Sequence, residues 1–135
     1  MNLPLYLFIN NMDKHPINQK LIDSGWKEEV PTCPTDRHIK MLYFKSFENH
    51  EACKANPGKP KVVEITHHFK MHIHNVFLND SWDVTIYGCL PDNSWVTLRA
   101  DNLKSFEEIE NKVDKLLTAW DLMVKSTPYV KDPYD

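Results

Sequence analysis

Four of the seven histidines in the chain lie within one short stretch, residues 61–74, which reads KVVEITHHFKMHIH. Successive side chains of a β-strand point to opposite faces, so this stretch, read as a strand, has one apolar and one ionisable face. His67 falls on the apolar face, whereas His68, His72 and His74 share the ionisable face. We therefore expect His67 to be a hydrogen-bonded core residue and the other three to be available for chemistry.

The H-x-H spacing of His72 and His74 directs two imidazoles the same way, which is a simple beginning for a metal site. Asp83 lies diagonal to His74 in the predicted hairpin, and two histidines with one carboxylate suit Zn, Fe or Mn. Lys70 on the same face would repel a cation, and any polar strand face in contact with water shows the same pattern. The favoured interpretation is therefore a protein without a cofactor, and a metal site of His72, His74 and Asp83 is the alternative.

Acid/base catalysis is a second use for the same histidines. His72 or His74 would exchange the proton, while Tyr87 and Arg99 would position an anionic substrate. The spacing shows no nucleophile with a base and a third orienting group, so no catalytic residue can be assigned. Tyrosine, tryptophan and arginine are also the residues that contribute most to protein-binding surfaces. An enzyme that uses His72 and His74 is therefore the alternative to a binding protein.

Two hairpins are predicted to bring these side chains together. A turn at residues 79–80 would set His74 opposite Thr85 and His72 opposite Tyr87. This register follows from the position of the turn, and it pairs polar positions with polar positions, so the two faces agree.

A second loop at residues 91–93 would set Thr85 opposite Arg99 and Asp83 opposite Asp101. The same alternation places Trp95 on the polar side of its strand. The ionisable face assembled in this way holds His68, Lys70, His72, His74, Asp83, Tyr87, Trp95, Arg99 and Asp101.

The remaining patterns indicate an α+β fold with a mainly antiparallel sheet of about five strands. A short N-terminal helix should end near Ser24, because Gly25 can close it in a Schellman motif. A long C-terminal helix should begin at the Ser105-Glu108 capping box, and its apolar stripe should pack on one face of the sheet. Strands are predicted at residues 3–9, 37–47, 61–74, 82–90 and 94–100, with a loop at residues 27–36.

Length and composition limit the class of protein. The chain has 135 residues, which suits one domain over residues 1–135, with a loosely ordered tail at residues 126–135. A net charge of −3 disfavours a nucleic-acid partner. The three cysteines form no CxxC pair, so we expect them to be reduced thiols. The sequence shows neither a signal peptide nor a membrane-spanning segment, so we expect a cytoplasmic location and no membrane partner.

These observations favour a small protein-binding module, such as an inhibitor, an immunity protein or an adaptor. Its contacts would come from the polar and aromatic sheet face, through His68, His72, His74, Tyr87, Trp95 and Arg99. The aromatic tail around Tyr129 and Tyr134 offers a contact to a partner or to a second copy of the chain, although a frayed terminus is the favoured interpretation.

Overall fold

The computed structural model describes residues 15–30, 39–47, 61–70 and 78–131. In chain order the elements are α1 (Pro16–Asp23), β1 (Lys27–Glu29), β2 (Ile39–Phe44), β3 (Lys61–Lys70), β4 (Leu78–Cys89), β5 (Trp95–Leu103) and α2 (Phe106–Ser126). The five strands form one antiparallel sheet in the order β1-β2-β3-β4-β5. The predicted α+β fold is therefore confirmed.

One hydrophobic core joins the sheet to both helices. On the sheet side it holds Ile65, Val84 and Ile86, each at most 1% exposed, and Leu21 of α1 packs into the same cluster. The helix α2 contributes its apolar stripe, namely Ile109, Val113, Leu117, Trp120 and Val124. Both helices therefore cover the same face of the sheet, and the alternate side chains of each strand lie on the opposite face.

The helix α1 closes as the sequence predicts. Trp26 donates its backbone N–H to the carbonyl of Leu21 at 3.0 Å, and Gly25 donates to the carbonyl of Ile22 at 3.0 Å. Gly25 has φ of +95°, a conformation that is easy only for glycine. These two hydrogen bonds form a Schellman motif, which turns the chain from α1 directly into β1.

The strand β1 lies where the sequence predicts a loop, so that part of the prediction is wrong. The three residues of β1 pair with β2, with Lys27 opposite Phe44 and Glu29 opposite Leu42. Glu28 accepts a 2.6 Å hydrogen bond from the buried hydroxyl of Tyr43. A charged three-residue edge strand has little strand propensity of its own and forms because β2 pairs with it. The predicted strand at residues 3–9 lies outside the described residues.

The predicted register between β3 and β4 is also wrong. Residues 79–80 belong to β4, not to a turn, and Thr85 lies opposite Glu64 where His74 was expected. Similarly, Tyr87 lies opposite Val62 where His72 was expected. The shift of ten positions is an even number, so every side chain keeps its face. Matching polar with polar therefore cannot distinguish the two registers.

The register between β4 and β5 is confirmed at Thr85, which lies opposite Arg99. The predicted pair of Asp83 with Asp101 is replaced by a β-bulge, since the register shifts between Trp82 and Val84. Within the bulge Asn102 has φ of +62°. A bulge opposes two residues of one strand to one residue of the other, and here it turns a backbone N–H of β5 towards Asp83.

The helix α2 begins at the predicted capping box. The hydroxyl of Ser105 accepts the backbone N–H of Glu108 at 3.1 Å. After the helix, Val130 donates its backbone N–H to the carbonyl of Pro91 at 2.9 Å and accepts from the Asn93 side chain at 3.0 Å. These bonds attach the residues after α2 to the β4–β5 loop.

Neither helix described is both long enough and apolar enough to cross a bilayer.

Candidate functional site

The candidate site is the sheet face that points away from the two helices, here called the polar face. It comprises the outward side chains of β3, β4 and β5, among them Glu64, Thr66, His68, Asp83, Thr85, Tyr87, Trp95, Thr97 and Arg99. The structure places four of the six predicted binding residues on this face, namely His68, Tyr87, Trp95 and Arg99. The other two, His72 and His74, lie outside the described residues.

Asp83 is the centre of a charged network on the polar face. Its Oδ2 atom lies 2.7 Å from Nε2 of His68 and accepts a 3.1 Å hydrogen bond from Nη2 of Arg99. Its Oδ1 atom accepts the backbone N–H of Asn102 in the bulge at 3.0 Å. Arg99 also donates through Nε to Asp101. The guanidinium is therefore clamped between two carboxylates.

The protonation state of Asp83 follows from these contacts. Burial alone would raise the pKa of this carboxyl, which is 7% exposed. The hydrogen bonds from Asn102, His68 and Arg99 outweigh burial and lower the pKa of Asp83. Asp83 is consequently a carboxylate at neutral pH, and both of its oxygens are engaged by donors of the chain itself.

The metal hypothesis remains a prediction. It requires His72 and His74, which the structure does not describe, together with Asp83, whose oxygens are already hydrogen-bonded. Within residues 15–30, 39–47, 61–70 and 78–131 no three His, Cys, Asp or Glu side chains are arranged to hold a metal ion. The same omission of His72 and His74 leaves the acid/base alternative a prediction.

An aromatic pair lies at the other end of the polar face. The rings of Tyr87 and Trp95 have centroids 6.1 Å apart and planes inclined by 41°. Trp95 is 59% exposed, and its backbone lies opposite Cys89 at the end of the hairpin. Burial, with a further contribution from the charge of Glu64, raises the pKa of Tyr87, so its hydroxyl stays protonated.

Glu64 lies between the two parts of the polar face and was not among the predicted site residues. It lies opposite Thr85 on β4 and is half-buried. Burial raises the pKa of Glu64, although the positive charges of Lys40 and Arg99 oppose this effect. In the sequence, the even spacing between Glu64 and His68 along β3 was the one indication that Glu64 lies on the polar face.

His67 is confirmed as a hydrogen-bonded core histidine. Its side chain is fully buried and stacks on Trp82 with ring centroids 4.3 Å apart. The indole N–H of Trp82 can only donate, and it donates to Oδ1 of Asn18 at 2.9 Å. The amide nitrogen of Asn18 must then face Nδ1 of His67, from which it lies 2.7 Å away. His67 therefore accepts through Nδ1 and carries its proton on Nε2.

Asp80 receives two imidazoles. Its Oδ1 lies 3.2 Å from Nε2 of His67, and its Oδ2 lies 3.3 Å from Nε2 of His15. Nδ1 of His15 accepts the backbone N–H of Ile17 at 3.1 Å and so caps α1. Both histidines consequently carry the proton on Nε2, the nitrogen that faces Asp80, and neither presents that nitrogen to a metal or a substrate. We call His15, Asn18, His67, Asp80 and Trp82 the buried polar chain.

Three members of the buried polar chain were not predicted, namely His15, Asn18 and Asp80. Asp80 was assigned to a turn, and the partners of His15 and Asn18, at the start of a helix, cannot be read from spacing. The structure therefore assembles two polar groups on opposite sides of the sheet: a structural one in the core and an accessible one on the polar face.

Comparison of the chain with protein-family models, with curated proteins and with solved structures gives no match.

Proposed function

We propose that the chain is a protein-binding module, acting as an inhibitor, immunity protein or adaptor, that engages its partner through the polar face. The observation that carries this proposal is the 59% exposure of Trp95 on a regular strand. Exposed tryptophan is uncommon on a sheet face, and at interfaces tryptophan, tyrosine and arginine supply most of the binding energy. All three residue types occur here on adjacent strands, as Trp95, Tyr87 and Arg99.

The contacts that these side chains make within the chain support the proposal. Trp95 rests beside Tyr87, and Arg99 is held by Asp83 and Asp101, although its side chain remains 55% exposed. Side chains that are already ordered lose less conformational entropy when a partner binds. The Nη1 nitrogen of Arg99 has no acceptor among the described residues and can donate to the partner. The partner expected is a protein with an apolar pocket for the indole and an oxygen acceptor beside it.

The first experiment places a photo-crosslinking phenylalanine analogue at Thr97, which is exposed on the same face as Trp95. The matched control carries the analogue at Leu122, which is 60% exposed on α2. Illumination in the source cell should give one discrete protein adduct from position 97 that position 122 does not give. Adducts of equal yield from both positions, or none from position 97, would contradict the proposal.

Trp95→Ala should weaken binding of the captured partner by about 2 kcal/mol, which corresponds to roughly 30-fold in Kd. The reason is that the indole provides the largest exposed apolar surface on the polar face. Titration calorimetry with purified partner measures the change, and Leu122→Ala provides the control because it removes a comparably exposed side chain from the opposite side. An unchanged Kd for Trp95→Ala would contradict the proposal that the polar face is the binding surface.

A further inference from the structure

The two edges of the sheet differ in their ability to accept another strand. One edge is β1, whose three residues are all charged, and short charged strands are a common means of preventing further pairing. The other edge is β5, which has nine residues and contains neither proline nor lysine. Beyond β5 the sheet has no further strand among the described residues. A long edge strand without these protective features can pair with a strand of another chain.

Hydrogen bonding in the β4–β5 hairpin shows which backbone groups of β5 point outward. Leu90 donates its backbone N–H to the carbonyl of Ser94 at 2.8 Å, so these two residues form a hydrogen-bonded pair. Bonded and non-bonded pairs alternate along an antiparallel ladder, and the register with β4 is unbroken over residues 95–100. The even-numbered residues of this segment therefore bond to β4. The odd-numbered residues direct their backbone N–H and C=O groups away from the sheet, and they are Trp95, Thr97 and Arg99.

The hydrophobic core is incomplete along this edge. On the face of β5 that packs on α2, the side chains of Val96 and Leu98 are only half-buried. Ile86, which lies opposite Leu98 on the central strand β4, is 1% exposed. A strand that pairs with the outer side of β5 would place its own apolar side chains beside Val96 and Leu98 and cover them. The edge therefore offers apolar side chains as well as backbone hydrogen-bonding groups.

We propose that β5 pairs antiparallel with β5 of a second copy of the chain, about a two-fold axis at Thr97. In this register Thr97 lies opposite Thr97 of the second copy, and Trp95 lies opposite Arg99 of the second copy. Roughly six backbone hydrogen bonds would join the two strands. On the helix side of the sheet, Val96 would lie opposite Leu98 of the second copy, which completes the apolar cover. The two polar faces would then form one continuous surface.

Charge and backbone shape favour this register and a second copy as the occupant. The hydrogen bonds from Arg99 to Asp83 and Asp101 lie in the plane of the guanidinium and leave its flat faces to stack on the indole of Trp95 of the second copy. A pairing centred on Arg99 would set two guanidinium groups opposite each other and would meet the β-bulge that follows residue 100. A pairing centred on Trp95 would extend into the β4–β5 loop. Only the register centred on Thr97 uses the regular part of the edge and pairs complementary side chains.

The first test is sedimentation velocity of the pure chain over a range of concentrations. It should show a reversible monomer–dimer equilibrium with a Kd of about 10–100 μM, as expected for a small interface. Thr97→Pro removes an outward N–H without removing a bond to β4, and it should weaken dimerisation at least about tenfold. Thr97→Val keeps the N–H and is the matched control, which should dimerise as the unaltered chain does. The thermal transition of each variant checks that it is folded. A chain that stays monomeric throughout, or equal dimerisation of the folded proline and valine variants, would overturn the proposal.

The alternation of backbone groups along β5 provides a second test that needs no variant. At concentrations that form the dimer, the amides of Trp95, Thr97 and Arg99 should become protected from hydrogen exchange, whereas those of Val96 and Leu98 already bond to β4 and should change much less. In a mixture of isotope-labelled and unlabelled chains, a nuclear Overhauser effect should connect the Trp95 indole of one copy to the Arg99 side chain of the other. Equal changes at odd and even positions, or no such contact between copies, would contradict the proposed pairing.

The dimer forms from the chain alone, so its presence or absence does not depend on the protein partner proposed above. In the photo-crosslinking experiment at position 97, an adduct of twice the mass of the chain would be this dimer and would not count as the partner. A monomeric chain that still captures another protein through position 97 would overturn the dimer and leave the proposed function standing.

Discussion

At the scale of single residues, the buried polar chain shows how one hydrogen-bond donor sets the state of groups several residues away. The Trp82 indole orients the amide of Asn18, the amide sets the tautomer of His67, and His67 then donates to Asp80. Each group in this series has a partner of the opposite hydrogen-bonding type. Such a network stabilises the fold only when every member is satisfied.

Asn18→Ala should therefore reduce the free energy of unfolding by about 2–4 kcal/mol, because it leaves both the Trp82 N–H and His67 Nδ1 buried without a partner. Urea unfolding followed by tryptophan fluorescence measures the loss. Gln19→Ala, at the exposed neighbouring position on α1, should change stability by no more than about 0.5 kcal/mol. Equal effects of the two substitutions would show that the Asn18 amide has no special role.

At the scale of elements, the connection from α1 to β1 depends on one backbone conformation. Gly25 at φ of +95° ends the helix, brings Trp26 into the core at 7% exposure and allows β1 to begin at Lys27. The edge strand β1 is only three residues long, so it can pair with β2 only if the preceding turn places it in register. The Schellman motif therefore positions one edge of the sheet.

Gly25→Ala should destabilise the fold by about 1–2 kcal/mol, because alanine in the left-handed region brings Cβ close to a backbone oxygen. The new Cβ would meet Lys45 only at an ordinary contact distance of 3.6 Å, so the effect comes from the backbone. The midpoint of urea unfolding measures it. Ser24→Ala is the control, since Ser24 is exposed and has φ of −92°, and the prediction fails if both variants unfold alike.

At the scale of the whole molecule, the buried polar chain makes stability depend on pH. Burial lowers the pKa of His67 and of His15, and in both cases it outweighs the nearby charge of Asp80. The Nζ of Lys104 donates to the carbonyl of Asp80, and the charge of His68 also lowers the pKa of His67. The unfolded chain therefore takes up protons on these histidines at a higher pH than the folded chain does.

The stabilisation is complete above the unfolded histidine pKa of about 6.5 and should be lost progressively as the pH falls below it. Urea unfolding at about pH 7.5 and about pH 5.5 should show lower stability under the more acidic condition. Asn18→Asp provides the control, because a carboxylate facing Nδ1 of His67 would accept a hydrogen bond from the charged imidazole, stabilise its charge and reduce this loss. If stability depended equally on pH in the unaltered chain and in Asn18→Asp, His67 would not be the source of the pH dependence.

Local features of the sequence were sufficient to predict most of the elements and the face on which each side chain lies. Alternation placed His67 in the core and His68 outside, and it placed Trp95 on the polar face. Glycine and capping chemistry placed the end of α1 and the start of α2. These predictions hold because side-chain direction and helix termination depend on neighbours within a few residues of the same strand or turn.

The register of β3 on β4 and the pairing of β1 were decided only by the tertiary structure. An even shift of register preserves every face, so the sequence could not show that Thr85 lies opposite Glu64. Nor could it show that β1 pairs at the sheet edge or that Asp80 receives two histidines from separate elements. By itself the sequence determined the direction of each side chain, a local property of the backbone. Which side chains meet depends on long-range pairing, and only the folded core selects among registers that are locally equivalent.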